Sequence, residues 1–221
     1  MIEVNKLIKS FHDGEKELVV LKELSLGVKK GEFISITGRS GSGKSTLLYQ
    51  LGLLDHPDSG QIWIDGINVA TLTPKERTRF RLEELGYIFQ DYALLPEMTT
   101  LENVMLPLLM QGMYKRVAQA LAIKALEKIH LGDKLDNLPS QLSGGEQQRV
   151  SIARAIAHDP KIIFADEPTA NLDADTSKVV LDYFLELHRE GQTIVMITHE
   201  PEYAELTDRI LLLSDGIIAN Y

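Results

Sequence analysis

The segment GRSGSGKST, at residues 38–46, limits what this chain can fold into more than any other part of its sequence. It fits the pattern G-x-x-x-x-G-K-[S/T], and it lies between an apolar, strand-like stretch and a run with helical spacing. Glycines allow the backbone to curl so that successive N–H groups point inward, and the start of a helix adds the positive end of its dipole. The segment therefore predicts a strand, a loop and a helix that together hold a nucleoside triphosphate.

The side chains of this loop have separate predicted roles. Lys44 is expected to contact the β and γ phosphates and to take part in catalysis, and the Ser45 hydroxyl is expected to coordinate Mg²⁺. The other loop residues expected to contact the nucleotide are Gly38, Ser40, Gly41, Ser42, Gly43 and Thr46. The alternative is a flexible turn with a solvated lysine, but it does not explain why the full motif, its context and a second matching site occur together.

That second site is the stretch KIIFADEP, an apolar strand that ends in Asp166 and Glu167. A carboxylate at the C-terminal edge of a strand beside the phosphate-binding loop can hold Mg²⁺ through water, and we assign this role to Asp166. Glu167 is then left to polarise the attacking water as a general base. The alternative is that both are solvated acids at the end of a strand.

Short apolar runs without alternation indicate the sheet. They are FISIT, LGYIF, KIIFAD, TIVMIT and RILLLS. Such runs are typical of strands buried on both faces, and several are separated by helical patterns, as in a parallel α/β sheet. The earlier segments IEVNKLIKSF and KELVVLKELSLGV flank the turn HDGEK, which contains the Asp13-Gly14 pair, and they predict an antiparallel opening.

Two runs have helical spacing, KSTLLYQLGLL and RVAQALAIKALEKI. Their expected apolar positions are Leu47, Leu51 and Leu54 in the first run and Val117, Leu121, Ala125 and Ile129 in the second. Between LGYIF and KIIFAD lie about seventy residues of mainly helical character, too many for a simple crossover. We therefore expect one domain over residues 1–221, with a helical insertion at approximately residues 91–158.

Charge and composition exclude several classes of protein. The chain of 221 residues has a formal net charge of −9, which repels nucleic acid and anionic lipid headgroups, so we expect no nucleic-acid partner. It has no cysteine, which rules out disulfides and thiolate metal sites and fits a reducing cytosol. No apolar stretch approaches the roughly 20 residues that span a bilayer, and the N-terminus lacks the unbroken apolar segment of a signal peptide. We expect neither a membrane span nor a secretion signal.

The stretch QLSGGEQQRVSIARA narrows the class of nucleotide-binding protein. Its LSGGE, at residues 142–146, resembles the LSGGQ signature of the ABC (ATP-binding cassette) ATPases, with Glu146 where that family often has Gln. Ser143, Gly144 and Gly145 would open a helix whose N-terminal N–H groups can bind a γ-phosphate. An ordinary N-capped helix start is the alternative. In the family, this second phosphate-binding helix N-terminus comes from a partner subunit. The resemblance therefore implies a head-to-tail homodimer with two ATP–Mg²⁺ between its subunits.

The resemblance extends over the whole chain and implies a fold and an activity. The fold is an α/β P-loop NTPase with a mainly parallel, RecA-like sheet core, an N-terminal antiparallel β subdomain and an inserted α-helical subdomain. The activity is ATP hydrolysis, with ATP and Mg²⁺ bound.

Two polar residues match family positions beside the metal and the dimer interface. Gln90, in YIFQD, resembles the Q-loop glutamine that reaches Mg²⁺ and the attacking water; its alternative is a surface amide after a strand. Asp173, in NLD, resembles the D-loop that crosses the dimer interface, although the family often has Ser at the position of Asn171.

Two ring side chains match positions around the nucleotide. His199 follows TIVMIT and resembles the H-loop histidine that contacts the γ-phosphate and orients water and Glu167; a structural histidine is the alternative. Phe11 lies where the family has an aromatic residue that stacks on adenine, and its alternative is a core residue at a strand end. Because stacking discriminates weakly between bases, the question of whether GTP is also a substrate stays open.

Three longer stretches are similar in sequence to the ATPase subunits of the lipoprotein-release, macrolide-export and cell-division group, the LolD/MacB/FtsE type. These are LGLLDHPDSGQIWIDG, GYIFQDYALLPEMTTLENVMLPLL and ADEPTANLD. The similarity implies separate integral membrane permease subunits as partners and a location on the cytoplasmic face of the cell membrane. The Leu- and Met-rich stretch after Gln90 is either a docking groove for a membrane partner's helix or the core of the helical insertion, and both readings stay open.

Two rival functions follow from the same motifs. One is an ABC protein that acts on DNA or ribosomes. The negative net charge argues against it, and so does the lack of a long coiled-coil insertion or a second cassette. The other is an ATPase that anchors or regulates a cell-division or other membrane complex without transporting a substrate. The sequence does not identify a cargo.

Overall fold

Ten strands and seven α-helices occur in the residues that the structure, a computed structural model, describes, namely 1–14 and 16–219. The strands are β1 (Ile2–Asp13), β2 (Lys16–Val28), β3 (Phe33–Thr37), β4 (Ser59–Ile64), β5 (Ile67–Asn68), β6 (Leu85–Ile88), β7 (Ile162–Asp166), β8 (Thr193–Ile197), β9 (Arg209–Ser214) and β10 (Ile217–Ala219). The α-helices are α1 (Lys44–Leu51), α2 (Pro74–Glu84), α3 (Thr100–Met110), α4 (Lys115–Lys128), α5 (Gly144–Ile156), α6 (Ala174–Arg189) and α7 (Pro201–Ala204). Glu15 of the predicted HDGEK turn and the last two residues of the predicted domain lie outside the described residues.

The chain divides into two compact units. The first, here the outer unit, consists of Met1–Arg79 and Gly191–Tyr221, and the second, here the middle unit, is Phe80–Glu190. Each is described below by itself.

The outer unit opens with an antiparallel sheet in the order β2-β1-β4-β5. Ile2 and Val4 are buried while Glu3 between them is exposed, because successive side chains of a strand point to opposite faces. Ile2 pairs with Val28 of β2 and with Ile64 of β4, so three apolar side chains meet at one end of the sheet. The predicted antiparallel opening is confirmed.

Parallel strands form the second sheet of the outer unit. Strand β3 pairs in parallel with β8 on one side and with β9 on the other, and β10 adds antiparallel to β9. The first four residues of β3 and all of β8 are buried, as expected for strands covered on both faces. The predicted strands FISIT, TIVMIT and RILLLS are confirmed. The expected burial on both faces is wrong for RILLLS, because Leu211 and Leu213 of β9 are buried whereas Ile210 is 41% exposed.

The middle unit holds a parallel strand pair and most of the helices. Strand β6 pairs with β7 from Leu85 opposite Ile162 to Ile88 opposite Ala165, which confirms LGYIF and KIIFAD as strands. Gly86 of β6 lies directly under α5, because a Cβ atom there would be 2.6 Å from the carbonyl oxygen of Ala155. This close approach brings the helix onto the strand without an intervening side chain.

Two details of the helices differ from the sequence prediction. Helix α1 ends at Leu51, because Gly52 and a left-handed Leu53 (φ 62°) turn the chain, so Leu54 lies beyond the helix and is 41% exposed. In α4 the buried positions are Ala118, Ala122, Ala125 and Leu126, while Val117 is 49% exposed and Leu121 is half-buried. Since an α-helix has 3.6 residues per turn, a strict four-residue repeat drifts by about 40° per step, here from the exposed Val117 to the buried Ala125 and Ile129.

The Leu- and Met-rich stretch after Gln90 serves in part as core. Val104, Met105 and Leu108 of α3 are buried, whereas Leu109 and Met110 at its end are 40% and 63% exposed. Helix α3 starts with a capping box, in which Thr99 accepts from the backbone N–H of Glu102 and the Glu102 carboxylate accepts from that of Thr99. Within residues 1–14 and 16–219, no helix is both long enough and apolar enough to cross a bilayer.

Candidate nucleotide-binding site

The predicted phosphate-binding loop connects β3 to α1 in the outer unit. Gly43 is the N-cap residue of α1 and has φ 102°, a left-handed conformation that glycine adopts without strain. Gly38 has φ 150°, and a Cβ atom there would lie 2.2 Å from the carbonyl oxygen of Leu213. The glycines of the motif are therefore required by the backbone path of the loop as well as by ligand access.

The Lys44 side chain folds back over the loop. Its Nζ donates to the carbonyl oxygens of Gly38 at 3.0 Å and Arg39 at 3.2 Å, which fixes the ammonium group beside the N-terminus of α1. The helix N-terminus and the ammonium group place positive charge on the same loop. This arrangement suits a phosphate group.

Two further hydroxyl groups of the loop test its fit to ATP and Mg²⁺. The Ser42 Oγ atom is buried and has no hydrogen-bond partner among the described residues, so a phosphate oxygen would satisfy it. Ser45 is exposed at the start of α1 and supplies a hard oxygen, the ligand type that Mg²⁺ prefers. No cluster of three or more His, Cys, Asp or Glu suited to a metal occurs in residues 1–14 and 16–219.

Phe11 and His199 also belong to the outer unit. Phe11 lies near the end of β1, opposite Leu18 of β2, and is 45% exposed, so the expectation of a core residue at a strand end is wrong for this side chain. His199 lies two residues beyond β8 and is exposed, with its Nε2 3.0 Å from Glu200 Oε1. Thr198 between strand and histidine is buried and anchors the start of this loop.

The two predicted acids lie at the end of β7 in the middle unit. Asp166 is the last residue of the strand and is buried, at 7% exposure. Glu167 follows with φ 45°, a left-handed conformation that is uncommon for a residue with a side chain and that turns the backbone away from the strand direction. The carbonyl oxygen of Glu167 accepts from the backbone N–H of Ala170 at 3.2 Å, which closes the turn.

Gln90 and the NLD segment contact each other in the middle unit. The Asn171 side chain donates through Nδ2 to the carbonyl oxygen of Gln90 at 3.1 Å. Asp173 is the N-cap of α6, because its carboxylate accepts from the backbone N–H groups of Asp175 and Thr176 and from the Thr176 hydroxyl at 2.7 Å. These bonds, led by the Thr176 backbone N–H, lower the pKa of Asp173.

The LSGGE stretch starts α5 with a capping box. Ser143 Oγ accepts from the backbone N–H of Glu146 at 3.3 Å, and the Glu146 carboxylate accepts from that of Ser143 at 2.8 Å. The Ser143 backbone bond is the main cause that lowers the pKa of Glu146, so its carboxylate stays ionised. Glu146, at the position where the family often has Gln, thus completes the capping box, which either residue type can do.

The two glycines of LSGGE are positions of close approach. A Cβ atom on Gly145 would lie 2.2 Å from Cγ2 of Thr176 in α6, and one on Gly144 would lie 2.9 Å from the hydroxyl oxygen of Tyr92. The first turn of α5 therefore packs directly against the first turn of α6 and against the segment after Gln90.

Sequence reasoning missed the residues that hold this segment. Tyr92 and Ala93 both have positive φ, 60° and 50°, and Arg154 of α5 donates to the carbonyl oxygens of both. Burial lowers the pKa of Arg154 to about 10. The only signals in the sequence were a tyrosine two residues after Gln90 and an arginine in the same helix as LSGGE, and neither pattern is specific.

The described geometry places the predicted residues in two sets. The outer unit holds Phe11, the loop at residues 38–46 and His199, and the middle unit holds Gln90, LSGGE, Asp166, Glu167 and Asp173. Their individual roles toward a nucleotide stay predictions.

A strand, a glycine loop and a helix with an overlying lysine define a P-loop α/β protein, and a glycine-started helix with the sequence LSGGE narrows the class to ATP-binding cassettes. The model of the ABC transporter family matches residues 21–170. This chain belongs to the ABC transporter family, as its sequence predicts.

Curated relatives cover most of the chain. It is 53% identical over 197 residues to the lipoprotein-releasing system ATP-binding protein LolD of Aquifex aeolicus, which covers 89% of this chain and 88% of that protein. It is 44% identical over 218 residues to the uncharacterized ABC transporter ATP-binding protein YknY of Bacillus subtilis, covering 99% and 95%. With the macrolide export ATP-binding/permease protein MacB of Rhodopirellula baltica it shares 45% identity over 222 residues, covering 99% of this chain and 32% of that protein. The predicted resemblance to the lipoprotein-release and macrolide-export group is confirmed.

Solved structures agree over the whole chain. The dimeric ATP-binding cassette MJ0796 in a post-hydrolysis state with ADP and phosphate superposes with a TM-score of 0.92 at 39% identity, covering 100% of this chain and 97% of that one. A second dimeric structure of MJ0796 matches with a TM-score of 0.92 at 40% identity and the same coverage. The predicted fold class is confirmed.

Proposed function

We propose that this chain is the ATP-binding and ATP-hydrolysing subunit of an ABC transporter complex. Two copies close around two ATP–Mg²⁺ and drive a conformational change in separate membrane subunits. The observation that carries the proposal is the loop at residues 38–46, where the Lys44 ammonium is fixed beside the N-terminus of α1 and a buried Ser42 hydroxyl lacks a partner among the described residues. The family and the dimeric structures of MJ0796 support it.

The residues divide the chemistry between binding and proton transfer. Lys44 and the N–H groups that start α1 bind the phosphates, and Phe11 stacks on the base. Ser45, Asp166 and Gln90 would hold Mg²⁺, which would supply positive charge to neutralise the phosphate oxygens. Glu167 accepts the proton of the attacking water while His199 orients that water, and the bond between the γ-phosphorus and its bridging oxygen breaks to give ADP and phosphate.

The partner copy completes each site. Ser143 and Gly145 at the start of α5 present helix N–H groups to the γ-phosphate bound by the other subunit, and Asp173 lies at the dimer interface. ATP favours the closed dimer through its greater affinity for that state, so hydrolysis lets the dimer open again. This cycle is the source of mechanical work on the membrane subunits.

The names of the relatives support a proposal for the membrane partner and the location. LolD is named as part of a lipoprotein-releasing system and MacB as an ATP-binding/permease protein. We infer that this chain docks on permease subunits at the cytoplasmic face of the cell membrane and that its cargo belongs to the lipoprotein-release or macrolide-export class.

Hydrolysis and dimerisation can be tested with three variants. Lys44→Ala should lose ATP binding. Glu167→Gln should bind ATP but lose about 10²- to 10⁴-fold in turnover, because a general base contributes that much. The matched control Glu202→Gln alters an exposed acid of α7 and should hydrolyse ATP like the wild type. Phosphate release gives the rates, and equilibrium binding to Mg–ATP gives the affinities.

Gel filtration of Glu167→Gln with ATP tests the dimer. It should elute as a dimer with ATP and as a monomer without it. A variant that stays monomeric with ATP bound would contradict the shared site, and a wild type without ATPase activity would contradict the proposed function.

Co-purification from detergent-solubilised membranes should then recover a permease with several membrane helices. Recovery of a cell-division complex in its place would favour an anchoring role.

A further inference from the structure

A buried lysine lies next to the exposed aromatic ring of β1. Lys9 is 9% exposed, and Phe11, two residues further along the same strand, is 45% exposed. The pairing of β1 with β2 shifts register between Lys9 and Ser10, and the Lys9 ammonium lies beside the Phe11 ring. A buried lysine is uncommon unless its charge is paired.

The charge of Lys9 is held from two directions. Its Nζ lies 2.9 Å from Asp55 Oδ2 and donates to the carbonyl oxygen of His56 at 2.8 Å. Asp55 in turn accepts from the side chain of Gln50 at 2.9 Å and from the backbone N–H of His56 at 2.7 Å. The ammonium group is therefore fixed in place by the loop after α1.

The Asp55 carboxylate stays ionised in this cluster. Burial raises its pKa, but the hydrogen bonds from Lys9, the His56 backbone and Gln50, together with the charge of Lys9, outweigh burial and leave the pKa below its ordinary value. Asp55 thus keeps a full negative charge opposite Lys9 at neutral pH.

The fixed ammonium group lies over the Phe11 ring. Its Nζ is 5.1 Å from the ring centroid, within the range of a cation–π contact. Because Lys9 is anchored by Asp55 and His56, it restrains the ring more than a solvated lysine would.

We propose that Lys9 is a positioning residue for base recognition: it fixes the Phe11 ring as the platform on which the base of the nucleotide stacks. This rests on the proposed function, in which Phe11 takes that role. The Lys9 ammonium is bound to Asp55 and to the carbonyl oxygen of His56, outside the loop at residues 38–46, so we expect it to affect affinity for the base and not the rate of hydrolysis.

The same cluster offers a second route that the test has to separate. Gln50 belongs to α1, the helix that starts at the phosphate-binding loop, so a change at Lys9 could alter phosphate binding through Asp55 and Gln50. The two routes differ in their dependence on the base. We therefore compare Mg–ATP with inorganic tripolyphosphate, which has the phosphates but no base.

The experiment measures Kd for both probes by calorimetry in the Glu167→Gln background. Lys9→Met should raise Kd for ATP by about 3- to 10-fold, the size expected of a cation–π contact, and leave Kd for tripolyphosphate unchanged. Lys9→Arg keeps the cation and should restore ATP affinity. In steady-state assays on the chain with Glu167 intact, Lys9→Met should raise KM and leave kcat unchanged.

A double-mutant comparison identifies the ring as the mediator. Phe11→Leu should raise Kd for ATP by about 5- to 100-fold, as loss of base stacking does. Adding Lys9→Met to Phe11→Leu should then have no further effect, because the ring on which Lys9 acts is gone. Lys75→Met removes an exposed lysine of α2 and serves as the matched control, with Kd equal to that of the parent.

If Lys9→Met destabilises the fold by leaving Asp55 unpaired, the neutral pair Lys9→Met/Asp55→Asn removes both charges and should show the same selective loss. Equal weakening of ATP and tripolyphosphate would overturn the proposal in favour of the route through α1, and so would additive effects of Lys9→Met and Phe11→Leu. Parent protein that binds ATP no better than Lys44→Ala would instead overturn the proposed function.

Discussion

Replacing Gly145 by alanine should push α5 away from α6. The added Cβ atom would lie 2.2 Å from Cγ2 of Thr176, whereas ordinary contact between carbon atoms needs about 3.5–4.0 Å. Thr176 cannot rotate freely to relieve this clash, because its hydroxyl donates to Asp173 at 2.7 Å. The first turns of the two helices must therefore separate by more than about 1 Å, or the Thr176 bond must break.

The expected cost is the balance of two terms. Overpacking of a well-packed contact costs about 1–3 kcal/mol. Alanine in place of glycine in a helix gains up to about 1 kcal/mol, and less in the first turn, where Gly145 lies. The net loss of stability is about 1–2 kcal/mol, which lowers Tm by about 2–8 °C for a chain of this length.

Thermal unfolding of four proteins tests this reasoning. Thr176→Ser removes the Cγ2 methyl group but keeps the hydroxyl, so Gly145→Ala/Thr176→Ser should recover most of the lost Tm. Gly27→Ala is the matched control, because a Cβ atom there meets only Ile2 O at an ordinary 3.8 Å. A Gly145→Ala variant as stable as the wild type, or one that Thr176→Ser fails to rescue, would show that this contact does not separate the helices.

If α5 contacts the partner's nucleotide as proposed, Gly145→Ala should also lose ATP-dependent dimerisation in the Glu167→Gln background.

Three other predictions concern the start of α5 and the segment after Gln90. Ser143→Ala removes the N-cap of α5 and should lower the free energy of unfolding by about 1 kcal/mol in urea titrations, whereas Ser143→Asn should retain most of it. Because the folded pKa of Glu146 lies below its ordinary value of 4.5, its stabilisation is present above pH 4.5 and lost as pH falls through the folded value, so the Tm difference between wild type and Glu146→Gln should shrink on acidification and persist at neutral pH. Arg154→Lys cannot donate to the carbonyl oxygens of Tyr92 and Ala93 with the same fork, so amide hydrogen exchange should quicken at residues 90–95 and stay unchanged in α6; equal exchange would contradict the role of Arg154.

Most of the core strands were predictable because a strand buried on both faces is a short, continuous run of apolar residues in the sequence. FISIT, LGYIF, KIIFAD and TIVMIT are short apolar runs, and each is a strand buried at most of its positions. RILLLS is also a strand, but it is buried on one face only. The glycine loop was equally clear, since only glycines accept the left-handed turn at Gly43 and the close approach at Gly38. In both cases a local requirement of the backbone dictates the residue type.

The ends and faces of helices were less predictable. The end of α1 depends on Leu53, a residue with no preference for the left-handed conformation it adopts, while Arg77 donates to its carbonyl oxygen at 3.2 Å. The buried face of α4 is lined by small alanines, which a search for large apolar side chains passes over. Tertiary contacts decided both, so no local pattern contains them.

The sequence by itself predicted the fold class from the period of its apolar residues and the family from its resemblance to known motifs such as LSGGE. It also identified the loop at residues 38–46 as the candidate phosphate site, because local backbone geometry requires the glycines there. Only the tertiary structure decided that Glu146 caps Ser143, that Arg154 holds the segment after Gln90, and that Lys9 lies over Phe11 with Asp55 as its anchor. These contacts join residues from 2 to 62 positions apart, and except for the cap they arise from side chains whose types recur throughout the chain. The structural role of each side chain depends on the residue that it contacts, and packing decides which residue that is.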